Sequence, residues 1–299
     1  MVRTITKSEQ AFHVFNYAFL TFVTLLSVLP FVHIIALSFS SYRSVLSGEV
    51  GLLPVETTVN AYRNLIIDGN IFVGLRNTIV VTVVGTAFNM IATTMAAYPL
   101  SKHRLRGRGF FLWIIIFTML FNGGIIPTFV LIRQLGLLNT YWALWLLVLV
   151  SPFNMFVMKS FFQAQPESLE ESAVIDGAND IQILVRIILP LSMPVIATLT
   201  LFYAVGHWNT YMNVLIYISD PEKYTLMMRL RQMITGMTEA ITTAQSSEGT
   251  EGSRLLEDLI TPQSIRSAAI VVSTLPIMLI YPFLQRYFVK GVMLGSLKG

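Results

Sequence analysis

The sequence predicts an all-α integral membrane protein with six transmembrane helices, and three observations support this fold class. Of 299 residues, 54% are hydrophobic and only 12% charged, and the mean hydropathy is +0.67, which is too apolar for a soluble globular domain. Six apolar segments are long enough to cross a bilayer, and a short cationic cluster separates two of them. The net charge of +4 is better explained by membrane topology than by nucleic-acid binding.

The first predicted span, 12–37, is too long for the core of a signal peptide. No convincing cleavage site follows it, so we expect it to be retained. Residues 38–76 contain glycine, proline, asparagine and several charges, which predicts a water-facing loop. The first half of the chain thus begins with one retained helix and one loop.

The second predicted span, 77–100, ends at four cations within seven residues: Lys102, Arg104, Arg106 and Arg108. By the positive-inside rule this cluster lies in the cytoplasm, which places the N-terminus inside and the 38–76 loop outside. A lipid- or nucleic-acid-binding patch is the weaker interpretation, because a short loop between two spans has little reach.

The third span, 110–132, contains Asn122-Gly123-Gly124 and Pro127, which predict an irregularity near its outer end. The fourth span, 140–162, carries Trp142 and Trp145 at the depth of an aromatic belt. This span returns the chain to the cytoplasm, so residues 163–189 form a cytoplasmic loop.

The fifth span, 191–218, is unusually polar for a lipid-facing helix. It leads to a long external loop, 219–266, and then to the sixth span, 267–287, after which the chain ends in the cytoplasm. No internal repeat or separate soluble domain is evident, so residues 1–299 are predicted to form a single membrane domain.

The cytoplasmic loop 163–189 has the pattern of two short helices joined by a sharp turn. Pro166 suits a first helical position, and the glutamates that follow it favour the positive end of the helix dipole. Gly177 can close the first helix, and Asn179 or Asp180 can cap the second. Leu169, Ala173 and Gly177 lie four apart, which predicts a small apolar knob on one helical face.

The order Glu171-Ser172-Ala173, Asp176-Gly177-Ala178, Ile187 and Leu189-Pro190 resembles the EAA loop of ABC importer permeases, with Ser172 in place of the motif's first alanine. In that family the loop forms a coupling helix that lies in a groove of a cytoplasmic ATPase. The resemblance therefore implies an ATPase-coupling role for seven residues: Glu171, Ala173, Asp176, Gly177, Ala178, Leu189 and Pro190.

Further segments are similar to carbohydrate importer permeases of the maltose type, and most closely to their branch serving oligo- and polysaccharide lipoprotein systems. They are 36–41, 76–78, 123–127, 207–209 and 281–291. The likeness covers nearly the whole chain except 236–260. It implies the type I ABC importer permease fold in the plasma (inner) membrane of a prokaryote, with both termini in the cytoplasm.

The same resemblance implies an assembly of several proteins. A homologous second permease, two ATPase subunits and an external lipid-anchored sugar-binding protein are the expected partners. The family's C-terminal tail reaches the ATPase interface, and the corresponding residues here are Gly295, Lys298 and Gly299. ATP and Mg would be bound by the ATPase, with no cofactor on this chain.

The sequence lacks the residues and motifs that several other mechanisms would require. The predicted spans contain no carboxylate, which disfavours proton- or sodium-coupled transport. H-E-x-x-H, G-x-S-x-G and a phosphate-binding G-x-x-x-x-G-K-[ST] loop are also missing. We therefore predict neither catalytic residues nor a metal site, and we expect the energy to come from a partner ATPase.

Polar residues of the fifth span predict a path for the substrate. Tyr203, His207 and Tyr211 lie four apart with Thr210 beside them, whereas Asn209 and Asn213 fall on another face. Hydroxyls, an imidazole and aromatic rings suit a sugar. The alternative is that His207 is satisfied by a neighbouring helix and the tyrosines only pack, and in maltose-type importers the partner permease makes most substrate contacts.

Two other functions stay open from the sequence: an ABC permease for a solute other than a sugar, and a membrane enzyme or scaffold. His33, in the first span, is expected to be structural.

Overall fold

A computed structural model of the chain describes residues 7–67, 71–246 and 261–296, and this part of the chain contains helices and no strand. Two compact units are present. The first comprises Met1–Asn70 and Leu230–Leu275, and the second comprises Ile71–Arg229 and Pro276–Gly299.

The first unit begins with α1 (Lys7–Ser38), followed by α2 (Tyr42–Leu46) and α3 (Asn60–Ile67). Its small core contains Ala36, Leu37, Val45 and Val50. The hydroxyls of Ser41 and Ser44 donate hydrogen bonds of 2.5 and 3.1 Å to Glu56 Oε2, and these bonds hold the pKa of the Glu56 carboxyl below its ordinary value. His33 Nδ1 lies 2.7 Å from the carbonyl oxygen of Gly51 and so has a structural partner.

In the second unit, α4 (Ile71–Ser101) packs most extensively against α12 (Met193–Trp208) and α8 (Pro152–Gln163). Its buried face is polar along much of its length, with Asn77, Thr86, Asn89 and Thr93 among the buried residues. Near the Ser101 end the core becomes apolar and includes Met155, Met158, Phe162, Ile183 and Leu199.

The predicted third span is broken, as the sequence indicated. It consists of α5 (Arg108–Leu120) and α6 (Ile125–Gln134), which meet at 115°. Gly124 takes the conformation that the turn requires, with φ of +84°, and its N–H donates to Asn122 Oδ1 at 2.9 Å. Pro127 lies in the first turn of α6, where its missing N–H removes no helical hydrogen bond.

The fourth span is also broken, which the sequence analysis did not predict. It consists of α7 (Tyr141–Leu147) and α8, bent by 54°. Ser151 is the N-cap of α8 and Pro152 its first residue. Since Ser-Pro is a helix-start signal, this break could have been read from the sequence.

The prediction of one continuous helix over 191–218 was wrong. The helix α12 ends at Trp208, Asn209 is its C-cap, and a separate α13 spans Met212–Tyr217. Upstream of α12 the chain forms four short elements in order: α9 (Glu167–Ile175), α10 (Asp180–Ile183), a π-helix (Leu184–Ile188) and α11 (Leu189–Leu191). The 180–191 segment and α12 meet at 83°.

The remaining described elements are a 3-10 turn (Pro221–Lys223), α14 (Leu226–Ser246) and α15 (Pro262–Ser296), and the predicted sixth span lies within α15. Within the described residues, Phe12–Ser38 and Ile71–Ser101 are each long and apolar enough to cross a membrane, and up to five spans result if each bent pair is one span. The count of six is therefore a prediction that stays open.

Candidate functional site

The 167–183 segment forms a helical hairpin, which we call the coupling hairpin. Its turn is a Schellman motif: Ala178 N–H donates to the carbonyl of Ala173 at 2.9 Å and Gly177 N–H to that of Val174 at 3.0 Å. Gly177 has φ of +83°, the left-handed conformation that this motif requires, and Asp176 is the C-cap. The predicted role of Gly177 in closing the helix is confirmed at the level of geometry.

A capping box starts the second arm of the coupling hairpin. Gln182 N–H donates to Asn179 Oδ1 at 2.9 Å, and Asn179 N–H donates to Gln182 Oε1 at 3.0 Å. Of the two predicted caps, Asn179 is therefore the one used. At the first arm Pro166 is the N-cap rather than the first helical residue.

The predicted apolar knob of Leu169, Ala173 and Gly177 was wrong for Ala173, whereas Leu169 and Gly177 are exposed. Ala173 is buried and packs into the apolar core with Ile183, so its side of α9 faces the protein. Leu169 stays exposed, but the most exposed apolar side chains of the hairpin are Val174, Ile175 and Ile181, and Ile175 is 85% exposed. Val174 and Ile175 share α9 with exposed Glu171, and Ile181 lies on the second arm of the hairpin.

Two ion pairs join the coupling hairpin to the cationic 102–108 loop. Lys102 Nζ pairs with Glu170 Oε1, and Arg104 Nη2 lies 2.6 Å from Asp180 Oδ1. The hairpin and the cationic loop therefore lie at the same end of the second unit.

Leu189 and Pro190 lie where the hairpin leads into α12. Leu189 N–H donates to the carbonyl of Leu184, which is the wider turn of a π-helix, and Pro190 has no N–H to continue the α-helical pattern. Proline therefore accounts for the irregular backbone at this junction.

A cavity of about 430 Å³ lies beside the break between α7 and α8. Its polar lining residues are Ser151, Asn154, Tyr203, His207, Thr210 and Asn213. Leu144, Leu147, Val148, Val150 and Phe202 supply apolar walls, and Gly206 leaves space between them. The mixture of apolar wall and hydrogen-bonding groups fits a small polar solute or one segment of a larger one.

Asn89 satisfies the backbone that the break leaves unpaired. Its Nδ2 donates to the carbonyl oxygens of Val148 and Leu149, the latter at 2.9 Å, and its Oδ1 lies 2.6 Å from His207 Nε2. Because both amide hydrogens go to carbonyls, Oδ1 is the acceptor and His207 Nε2 carries the hydrogen. One buried asparagine thus holds the α7–α8 break and α12 to α4.

Tyr203 has a similar role one helical turn away. Its hydroxyl shares a hydrogen bond of 2.7 Å with Thr93 Oγ1 and accepts one of 3.0 Å from Ser151 N–H, and the residue is only 6% exposed. Both Tyr203 and His207 therefore line the cavity while being held by neighbouring helices.

The predicted Tyr203, His207 and Tyr211 stripe does not exist as one helical face, because α12 ends before Tyr211. Tyr203, His207 and Thr210 line the cavity, and so does Asn213, which the sequence analysis assigned to another face. Tyr211 is not among the lining residues. Asn209 Nδ2 donates to the carbonyl of Val205 in its own helix.

Asn89, Thr93 and Ser151 were not among the site residues predicted from the sequence. An amide in the middle of the predicted second span was a readable signal, since polar groups at that depth need partners. The partners themselves could not be read, because they lie 59 and 60 residues away along the chain.

Of the predicted tail residues, Gly295 lies in the last turn of α15, and Lys298 and Gly299 lie outside the described residues. Among the described residues no group of three or more His, Asp or Glu side chains could hold a metal ion.

Comparison with known proteins identifies the family. Residues 89–294 match the family described as "Binding-protein-dependent transport system inner membrane component". The chain is 44% identical over 294 residues to the polygalacturonan/rhamnogalacturonan transport system permease protein YtcP of Bacillus subtilis (strain 168), covering 97% of this chain and 99% of that protein. It is 43% identical to Protein LplC of the same organism, covering 98% and 97%.

A solved structure agrees with these relatives. A crystal structure of a bacterial ABC transporter involved in the import of the acidic polysaccharide alginate contains a similar chain, with a TM-score of 0.80 and 34% identity over 96% of this chain and 100% of that one. The all-helical fold of the described residues is thus that of an ABC importer permease. This chain belongs to the family of binding-protein-dependent transport system inner membrane components.

Proposed function

We propose that this chain is a permease subunit of an ATP-driven importer for an oligo- or polysaccharide, working by alternating access. The observation that carries the proposal is the coupling hairpin, whose Schellman turn and capping box fix an exposed apolar surface next to exposed Glu171. The names of the similar proteins refer to polygalacturonan, rhamnogalacturonan and alginate, which supports a carbohydrate substrate.

The coupling hairpin is proposed to contact a separate ATPase. Val174, Ile175 and Ile181 would enter its groove, while Glu171 and Asp176 would contact the rim. Ala173 and Ala178 would act by fixing the hairpin on the apolar core, Gly177 by closing its turn, and Leu189 with Pro190 by directing it into α12.

The proposed assembly contains a homologous second permease, two ATPase subunits that bind ATP and Mg, and an external sugar-binding lipoprotein. It would lie in the plasma (inner) membrane of a prokaryote with both termini of this chain in the cytoplasm. The tail residues Gly295, Lys298 and Gly299 are proposed to reach the ATPase interface.

The cavity beside the α7–α8 break is the proposed sugar path. Thr210 and Asn213 are the groups best suited to bond sugar hydroxyls, because they line the cavity and are only half-buried. Tyr203 and His207 would present ring surface and hold the wall. Tyr211 stays a weaker candidate, since it begins the connection to α13.

Co-purification tests the proposal. The chain, expressed with its proposed second permease and ATPase, should bring down both partners, and ATP hydrolysis in nanodiscs should rise when sugar-loaded binding protein is added. Oligogalacturonate and alginate oligomers are the first substrates to try, and a neutral maltooligosaccharide and a peptide serve as comparisons.

A matched pair at the hairpin turn sharpens the test. Gly177→Val should lose most of the ATPase subunit, because a β-branched residue resists the left-handed conformation, whereas Gly177→Asn should keep it. No heavy atom lies within 4 Å of the added Cβ, so steric overlap is not the cause. A lone monodisperse protein, or hydrolysis stimulated only by a peptide, would overturn the proposal.

A further inference from the structure

Lys102, the first residue after α4, has a side chain that is largely shielded from solvent and contacts two other residues. Its Nζ pairs with Glu170 of the coupling hairpin and lies 4.5 Å from the centre of the Tyr98 ring. The side chains of the pair are only 16% and 19% exposed. Tyr98 is buried and packs edge-on against Phe162 of α8. The ammonium therefore contacts the hairpin and α4 at once.

The neighbouring pair, Arg104 with Asp180, offers a natural comparison. Its atoms approach to 2.6 Å, but the two side chains are 66% and 65% exposed. Water and salt screen such a pair strongly, whereas they screen the shielded Lys102–Glu170 pair much less. The two pairs join the same two segments and differ mainly in burial.

Open space surrounds this connection. One cavity of about 620 Å³ and another of about 500 Å³ border the hairpin, and Lys102 and Arg104 line both. Close packing of the hairpin is confined to buried Ala173 and Ile183 and a few half-buried neighbours. The charged side chains therefore bridge a region that apolar packing leaves open.

The helix that ends just before Lys102, α4, also carries the residues that hold the cavity. Asn89 lies 13 residues before Lys102, or about 20 Å along a helix, and bonds the α7–α8 break. Thr93 contacts the Tyr203 hydroxyl on the same side of the helix. A displacement of the Lys102 end of α4 would reach both contacts through one continuous helix.

We propose that Lys102 and Glu170 are a positioning pair through which movement of the coupling hairpin is passed to α4 and so to the cavity. The inference rests on the proposed function of the hairpin as the ATPase contact. Arg104 and Asp180 have the same connectivity without the shielding, and they contribute little.

The experiment uses the assembled complex in nanodiscs. Lys102→Met and Glu170→Gln should each lower ATP hydrolysis stimulated by loaded binding protein, and uptake in proteoliposomes, by about fivefold or more, while the ATPase subunit still co-purifies in full amount. Arg104→Gln and Asp180→Asn are the matched controls and should change both by less than about twofold.

Rescue separates positioning from a merely structural role. The double variant Lys102→Glu with Glu170→Lys should recover a large part of the stimulation that either single change loses, and Lys102→Arg should retain most of it. Because the Lys102–Glu170 pair is shielded, ATP hydrolysis stimulated in the wild type should also depend only weakly on salt up to about 0.5 M, whereas a contribution from an exposed pair would be screened.

The outcomes are distinct. Unchanged stimulation in assembled Lys102→Met and Glu170→Gln complexes overturns the pair, as does equal loss in the Arg104 control. Loss of the ATPase subunit from both Lys102 variants, Met and Arg, would assign the pair to docking and also overturn it. If the wild type itself recruits no ATPase, the proposed function fails first, and this inference fails with it.

Discussion

Gly85 sets how closely α4 approaches α12 and α7. A Cβ built there would lie 2.5 Å from His207 Nε2 and 2.9 Å from Trp145 Cδ1, closer than real Cβ atoms come to such groups. The lack of a side chain lets the imidazole reach Asn89 at 2.6 Å, and it lets the Trp145 indole donate to the carbonyl of Val81 at 3.1 Å. Small residues serve this purpose in helix contacts within membranes.

Gly85→Val should therefore destabilise the second unit by about 1–3 kcal/mol, because neither the imidazole nor the indole can yield without losing its hydrogen bond. The thermal midpoint of the detergent-solubilised protein, followed by fluorescence-detected size-exclusion chromatography, measures the effect. Gly109→Ala is the control, since nothing lies within 4 Å of its added Cβ. Equal midpoints for the two variants would contradict this account.

At the scale of the element, the α7–α8 break and the α12 terminus determine the cavity. Breaking a span leaves carbonyls and N–H groups without helical partners, and here Asn89 and Tyr203 provide them. Thr210 and Asn213 lie beyond the end of α12 and make no such contribution to the break. The polar lining residues of α12 and of the segment after it thus divide into a supporting pair, Tyr203 and His207, and a second pair available to a ligand, Thr210 and Asn213.

This division predicts two separable phenotypes. Tyr203→Phe should lower stability by about 1–3 kcal/mol, because the part-buried N–H of Ser151 loses its acceptor and the buried Thr93 hydroxyl loses its partner. Asn213→Ala and Thr210→Val should instead leave the thermal midpoint within about 0.5 kcal/mol of wild type and reduce uptake. Thermal midpoints and uptake assays on the same preparations check both halves.

The reverse pattern, in which Tyr203→Phe is stable but inactive, would make Tyr203 a direct sugar contact. Unchanged uptake in both Asn213→Ala and Thr210→Val would leave the partner permease as the main binding subunit.

The elements differ in how far the sequence alone could predict them. The coupling hairpin was predictable almost to the residue, because Gly177 and Asn179 act on groups within five positions of themselves. The broken third span was predictable for the same reason, from Asn122 and Gly124. Ser151 with Pro152 marked the start of α8 equally locally, but that signal was overlooked.

The cavity was only partly predictable. A four-residue spacing assumes an unbroken helix, and α12 stops at Trp208, which removes Tyr211 from the stripe and brings in Asn213. The inward turn of Ala173 likewise depends on Ile183 and the core that both join, and helical spacing alone does not reveal which face meets that core.

At the scale of the whole molecule, the ion pairs place the 102–108 loop and the coupling hairpin at one end of the second unit. By the positive-inside rule, we predict that this end is cytoplasmic. The chain has no cysteine, so single cysteines can report the side of each loop. Ser101 is only 4% exposed and would be shielded from reagents on either side, whereas Arg106 and Ser47 are exposed.

Arg106→Cys should therefore react with a membrane-impermeant maleimide only after permeabilisation, and Ser47→Cys should react in intact cells. Gel shift of the labelled chain measures both. Ser247, in the predicted external loop, lies outside the described residues and is a further position for outside labelling. Labelling of Arg106→Cys in intact cells would contradict the predicted orientation and indicate the inverted topology.

The first helix has a consequence for the lipid around this protein. The apolar run Phe12–Ser38 contains 27 residues, and only 11% of its most apolar window is buried within this chain, so most of it is open to lipid or to a partner helix. At 1.5 Å per residue this run measures about 40 Å, against about 30 Å of hydrocarbon in an ordinary bilayer. Hydrophobic mismatch of this size obliges α1 to tilt, to bend at Pro30, or to thicken the bilayer beside it. Acyl-chain length is therefore a variable that acts on α1 directly, and longer-chain lipids should hold this helix more upright than short-chain ones.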